Sequence, residues 1–346
     1  MTTRTLTYWQ AISEATVQCM ADDPRVFVAG EGVDDPTGIY GTTRAAFERF
    51  GPSRVWDLPN SENACAGIAV GAAAMGRRPL MVHSRADFMF LAMDALINLA
   101  AKWRYMYGNQ GGVPVVTRGV VGRGWGQGAT HSQSLHAVFG HFPGLYVAAP
   151  ASPADAKGLL VQALRSQTPV VLMENRGLYQ VTGEVPEEAV PVPFGRGRIA
   201  RHGTDVTVVA ASLMVHEAQR AADLLAGQGV SVEVVDVRSI RPLDTDLICA
   251  SVARTGRLVV ADTSWSSYGF AAEVAAVVAE RALGDLRQPV RRVTPPDCPA
   301  PVSHPLEEAF HPNADRIAAA CLDLVGAERR VIPKLADVTA GFIGPY

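Results

Sequence analysis

Short, largely apolar runs recur along this chain, and each hands over to a helical segment. They are Val26-Phe27-Val28-Ala29-Gly30, Val55-Trp56-Asp57-Leu58, Pro79-Leu80-Met81-Val82, Val113-Pro114-Val115-Val116-Thr117, Leu145 to Pro150 and Pro169 to Glu174. A strand with apolar residues on both faces must be covered on both faces, as in a parallel sheet flanked by helices. Strands alternating with helices through residue 176 therefore predict an α/β fold with a doubly wound sheet. The intervening helices are expected at residues 5–21, 42–50, 64–76 and 88–107, the last a single long helix. Another should start at Ser152-Pro153-Ala154-Asp155, where a cap, a first-position proline and a first-turn acid stand together.

Prolines 186, 191 and 193 and glycines 195 and 197 then break regular structure, so residues 181–204 read as a linker. A second α/β pattern follows over residues 205–325, with strands at 205–210, 230–237, 258–261 and 290–293. The domains are thus expected at 4–180 and 205–325, with a C-terminal extension over 326–346. Apolar residues make up 48% and charged residues 19%, enough for two large cores. A net charge of −3 leaves no basic footprint for nucleic acid. Met1-Thr-Thr-Arg-Thr carries no signal-like apolar stretch, and no run of about 18 apolar residues suggests a membrane span. The five cysteines lack CxxC spacing, which fits reduced thiols and a cytoplasmic location.

The stretch Val55 to Phe88 concentrates the candidate chemistry. Pro59-Asn60-Ser61-Glu62-Asn63 is a turn between an apolar strand and a small-residue helix, and Pro79 to Phe88 is the next strand. Glu62 stands where a strand hands over to a helix, the place where open parallel sheets gather ligands. Two readings are open: a first-turn acid behind a Ser61 cap, or an acid with a chemical role. Glu31, also at a strand end, is a loop charge or a second ligand-side acid; Phe88 is a core ring or a stacking one. Gly122-Arg123-Gly124-Trp125-Gly126-Gln127-Gly128 is no dinucleotide fingerprint, because its glycines alternate. His131-Ser132-Gln133-Ser134 should open a helix running to about Phe139, with His131 either a capping or surface residue or a catalytic one. His136 and His141 lack the spacing of a helical zinc pair and read as structural.

These motifs resemble the beta subunit of thiamine-diphosphate-dependent 2-oxo acid dehydrogenases, of the pyruvate, branched-chain and acetoin types. The resemblance covers residues 4–325 and implies a transketolase-like pyrimidine-binding domain followed by a transketolase C-terminal-like domain. The segment Asp236 to Asp244 carries the second match. The resemblance gives Glu62 the task of hydrogen-bonding a ring nitrogen of the cofactor's aminopyrimidine, which favours the imino tautomer. It places Phe88 as the stacking aromatic and Glu31 on the cofactor side, and it sets His131 against the reacting carbonyl. It also implies a monovalent cation, potassium, on backbone carbonyls near Ala163 and Thr168, although Ser166 stands where an Asp is often found.

The chain lacks the Gly-Asp-Gly…Asn motif that holds magnesium and the diphosphate in these enzymes. An alpha-type partner is therefore expected to hold the Mg²⁺, in an α2β2 heterotetramer, with a lipoyl acyltransferase as a further partner and a small 2-oxo acid as substrate. Departures from the pattern are His83 and Arg85 before the stacking aromatic, where Ala86 and Asp87 fit, and Arg123 and Trp125 in the glycine loop. Arg85 suits a carboxylate or phosphate, on a substrate more polar than pyruvate, or else pairs with Asp87 or a partner acid. An acyl acceptor other than lipoamide, such as an aldehyde, and a non-catalytic assembly role are the competing functions.

Overall fold

The computed structural model describes residues 2–35, 38–123 and 126–326, which fall into two units, each with its own sheet. The expected roles of Trp125 and of the C-terminal extension beyond residue 326 lie outside the described residues. Of the described residues, the first unit holds those up to Val121 and Val138–Phe194, and the second holds those of Gly122–Ala137 and 195–326.

The first unit runs β1 (Thr3–Thr7), α1 (Tyr8–Asp22), β2 (Val26–Gly30), α2 (Arg44–Phe50), β3 (Val55–Asp57), α3 (Glu62–Ala74) and β4 (Arg78–His83). It continues with α4 (Trp103–Met106), β5 (Val116–Val121), α5 (His136–Gly140, its first two residues counted with the second unit), β6 (Tyr146–Ala148), α6 (Pro153–Arg165), β7 (Val170–Asn175) and β8 (Thr182–Pro186). Its main strands lie in the order β6-β7-β5-β4-β2-β3, and every neighbouring pair is parallel. Every residue of β2, β4, β5 and β7 is buried, as an apolar strand with helices on both faces requires. Among the buried polar residues of this sheet, Arg118 is paired with an acid on the neighbouring strand. Arg118 of β5 sends Nε and Nη2 to the Glu174 carboxylate of β7 (2.5 and 2.9 Å) and Nη2 to the Thr42 hydroxyl (3.0 Å), and the Tyr179 hydroxyl donates to the same acid at 2.9 Å.

Three expectations are corrected in this unit. The first helix starts at Tyr8, because Thr3–Thr7 pairs antiparallel with β8, and Thr7 then caps α1 in a reciprocal box with Gln10. The pairing partner lies about 180 residues away, beyond the reach of a local pattern, and it turns part of the expected linker into sheet. The strand after Pro79 ends at His83, short of Phe88. The expected long helix of 88–107 is broken into a 3₁₀ segment (Ala86–Ala92), a π segment (Asp94–Ala100) and α4. Ala86, Met89 and Ala92 are fully buried at three-residue spacing, a stripe that 3.0 residues per turn holds on one face. Against that stripe, a Cβ on Gly119 of β5 would meet Met89 Sδ at 2.4 Å.

The second unit runs β9 (Arg198–Arg201), β10 (Val206–Ala210), α7 (Leu213–Ala226), β11 (Val232–Asp236), β12 (Ser239–Arg241), α8 (Thr245–Thr255), β13 (Leu258–Ala261), α9 (Phe270–Arg281), β14 (Arg291–Val293), α10 (His304–Phe310) and α11 (Ala314–Val325). Its sheet has the order β14-β13-β10-β11-β9, parallel throughout except for the antiparallel edge strand β9. That edge strand also comes from the expected linker, so regular structure begins before residue 205. Helix α8, unforeseen in the sequence, is fixed at both ends: Asp244 accepts from the Leu247 amide at 3.1 Å, and Gly256 closes it at φ 69°.

Candidate functional site

In the first unit, two neighbouring strand ends and one helix start bring the candidate residues together. Glu31 follows the last residue of β2, and its amide donates to the Val82 carbonyl of β4 at 3.2 Å. The approach is so close that a Cβ on Gly30 would lie 2.1 Å from that oxygen, so only glycine lets the two strands meet here. Leu58 at the end of β3 donates to the Gly30 carbonyl at 3.0 Å, which fixes the entry to the turn before α3.

Glu62 is the first residue of α3 and is only 8% exposed. Ser61 makes no capping bond with its side chain, so the reading of a capped first-turn acid fails on this point. The Glu62 side chain instead lies beside Glu31, where it helps to hold the Glu31 carboxyl down. Glu31 also meets His83 Nδ1 at 3.5 Å and accepts from the Ser84 hydroxyl at 3.3 Å. Burial raises the Glu31 carboxyl, but the His83 imidazole outweighs that, helped by Ser84 and Glu62, and the net direction is down. The Cys65 thiol, one turn into α3, is pushed up by burial and by the two acids. Phe88 is half-buried on the 3₁₀ segment, and its amide donates to the Arg85 carbonyl at 3.3 Å. Glu31, Glu62, His83 and Ser84 therefore form one cluster at the carboxyl end of the sheet, and Arg85 and Phe88 follow it directly in the chain.

The second unit carries the glycine loop. Gly122, Gly126 and Gly128 have φ of 111°, 85° and 68°, conformations that side chains disfavour. A Cβ on Gly128 would lie 2.8 Å from Val302 Cγ2, so the loop runs close against that residue. His131 does not open a helix; it sits in a turn, with its amide directed at the Gly128 carbonyl (3.4 Å) and Nδ1 3.0 Å from the Thr130 hydroxyl. The helix begins only at His136. Arg123 is half-buried; burial first, then the charges of Arg123 and Arg316, push the His311 imidazole down to about 4.

Residues 4–182 match the transketolase pyrimidine-binding domain, and residues 195–317 match the transketolase C-terminal domain. The chain is 43% identical over 327 residues to the beta subunit of acetoin:2,6-dichlorophenolindophenol oxidoreductase of Cupriavidus necator, covering 92% of this chain and 96% of that one. It is 40% identical over 315 residues to the pyruvate dehydrogenase E1 beta subunit of Rickettsia felis (91% and 97% covered). It is 38% identical over 321 residues to the 2-oxoisovalerate dehydrogenase beta subunit of Bacillus subtilis (92% and 98%). The chain belongs to the 2-oxo acid dehydrogenase beta-subunit family. A split-gene transketolase, solved as an inactive beta4 tetramer, has the same fold at TM-score 0.77 and 25% identity, covering 94% of this chain and all of that one.

For this family member, the backbone near Ala163 and Thr168 already has donors. Arg78 Nη1 donates to the carbonyls of Leu164 (3.0 Å) and Ser166 (2.8 Å), and the Ser166 amide donates to the Ala163 carbonyl at 3.0 Å. A guanidinium therefore serves two carbonyls in the segment where the cation is expected. Sequence reasoning missed Arg78 and Ser84. Neither carries a motif, and both act on partners that only the sheet brings near. Among the described residues, no helix is long and apolar enough to cross a membrane.

Proposed function

We propose that this chain is the beta subunit of a thiamine-diphosphate-dependent 2-oxo acid dehydrogenase and completes its cofactor site with an alpha-type subunit. The observation that carries the reading is the buried Glu62, beside a second acid at the carboxyl end of a parallel sheet. Buried acids gathered with a specific charge partner at such a strand end mark a functional site. When bound, thiamine diphosphate supplies the carbanion chemistry for loss of CO₂ from a 2-oxo acid.

Glu62 would hydrogen-bond the pyrimidine ring nitrogen of the bound cofactor, and Glu31, itself held by His83 and Ser84, would position Glu62. Phe88 offers an aromatic face to the ring. His131, steadied at Nδ1 by Thr130, orients the reacting carbonyl group. Magnesium and the diphosphate fall to the alpha chain, since this chain has no motif for them. A lipoyl acyltransferase receives the acyl group. Identities of 38–43% to dehydrogenase and oxidoreductase beta subunits, against 25% to a transketolase, support this acceptor over an aldehyde.

The test is co-expression with an alpha-type subunit and measurement of hydrogen–deuterium exchange at the cofactor's reactive carbon. Glu62→Ala should slow that exchange by about 100-fold or more while the complex still assembles. Unchanged exchange would overturn the reading.

A further inference from the structure

Arg85 is 5% exposed, and both its Nη1 and Nη2 are shut off from water without a hydrogen-bond partner. Each of the other arginines buried in this unit has at least one terminal nitrogen bonded, although Arg118 Nη1 is also without a partner. Arg118 forks onto Glu174, Arg78 caps two carbonyls, and Arg176 reaches the Tyr40 hydroxyl at 3.4 Å. A guanidinium cannot shed its proton to relieve the cost of burial. The acids nearest in the chain do not relieve it either. Glu31 is engaged by His83, Ser84 and Glu62, and Asp87, two residues on, bonds neither terminal nitrogen. Arg85 follows directly on Ser84, whose hydroxyl touches Glu31, so its backbone belongs to the cluster of the proposed cofactor site.

We infer that Arg85 is a specificity-determining residue that receives an anionic group, carboxylate or phosphate, carried by the substrate at a distance from its 2-oxo acid end. The inference rests on the proposed function. The planar fork of arginine matches two oxygens at once. The anion it holds is not the carboxylate of the 2-oxo acid itself. That group departs as CO₂, and a bidentate ion pair to it would stabilise the ground state more than the transition state. An anion that persists through the reaction is held equally before and after the loss of CO₂, which lowers KM and fixes orientation. Burial within the isolated chain favours a small occupant over a side chain presented from another protein's surface.

The experiment uses the assembled alpha–beta complex with thiamine diphosphate and magnesium, as wild type, Arg85→Leu and Arg85→Lys. Three substrates are compared: 2-oxoglutarate, 2-oxo-4-phosphonobutyrate and the uncharged 2-oxohexanoate. Wild type should prefer one of the two anionic substrates over 2-oxohexanoate by 100-fold or more in kcat/KM, and the preferred one identifies carboxylate or phosphate. Arg85→Leu should lower kcat/KM for that substrate at least 30-fold more than for 2-oxohexanoate, mainly through KM, and Arg85→Lys should recover part of the loss. Equal losses on charged and uncharged substrates overturn the inference, as does a wild type that prefers 2-oxohexanoate. If Arg85→Leu does not assemble, the same comparison is read from Arg85→Lys. If no 2-oxo acid is turned over, the proposed function has failed by itself. The anion site then stands or falls on whether 2-oxoglutarate or the phosphonate raises the melting temperature of wild type and not of Arg85→Lys.

Discussion

His136 Nε2 lies 2.8 Å from Asp262 Oδ1, and both side chains are buried. The pair ties the first residue of α5 to the residue after β13. Asp262 is held in turn: the Ser264 amide donates to Oδ1 at 3.1 Å, and its own amide donates to the Val293 carbonyl at 3.0 Å. Phe270 closes the side of the imidazole, edge-on at 6.3 Å. The sequence offered His136 only as a structural histidine and gave no sign of its partner, 126 residues away.

Removing one member of this pair strands the other. His136→Ala should cost about 3 kcal/mol, in the range for breaking a buried pair, and Asp262→Asn less, about 1–2 kcal/mol, because the amide oxygen still accepts. Urea denaturation of the two variants measures both. Amide exchange over residues 126–135 should rise in His136→Ala, since the imidazole anchors the end of that loop.

The two acids of the first unit should trade stability for function. Glu62→Gln removes a buried carboxyl beside Glu31 and puts an amide donor in its place. It should raise the stability of the complex by about 1 kcal/mol while slowing cofactor activation. Thermal unfolding beside the exchange assay reports both, and a destabilised Gln variant would show that the acid pair supports the fold.

His311 makes stability depend on pH. Its imidazole is held down to about 4 by burial and by Arg123 and Arg316, against an ordinary value of 6.5. Between those values the unfolded chain binds a proton that the folded chain refuses. The contribution is therefore whole above about pH 6.5 and is lost as the pH falls toward 4, by roughly 2–3 kcal/mol in total. His311→Gln should flatten this limb in urea titrations at pH 7, 5.5 and 4.5.

Arg78 should matter to folding more than its place at a strand start suggests. Arg78→Met leaves the Leu164 and Ser166 carbonyls without their donor, and a loss of about 2–4 kcal/mol is expected. Arg78→Lys should restore part of it. Chemical denaturation at matched ionic strength makes the comparison.

Much of the fold was legible because its strands are buried on both faces and so read as apolar runs. The Ser152-Pro153 start of α6 was also legible, since capping is local: Ser152 accepts from the Asp155 amide at 3.1 Å. Features set by distant partners were not. Thr3–Thr7 alternates weakly and was absorbed into the helix it precedes, because β8 lies far along the chain. The run from Phe88 to Tyr107 is apolar throughout, and nothing in its composition distinguishes 3₁₀ and π turns from a regular helix. At the candidate site, Glu62 and Glu31 were visible as strand-end acids, but that the two stand side by side is set by the fold. Arg85 was visible as a departure from the family pattern; only the structure reveals that its fork is buried without a partner.

The segment Gly122–Ala137 interrupts the first unit in sequence yet clusters with the second. A gene fragment cut after Phe194 would therefore put His136 on one polypeptide and Asp262 on another. Neither piece would inherit a finished interior, and shuffling the two halves independently among relatives would carry the same penalty.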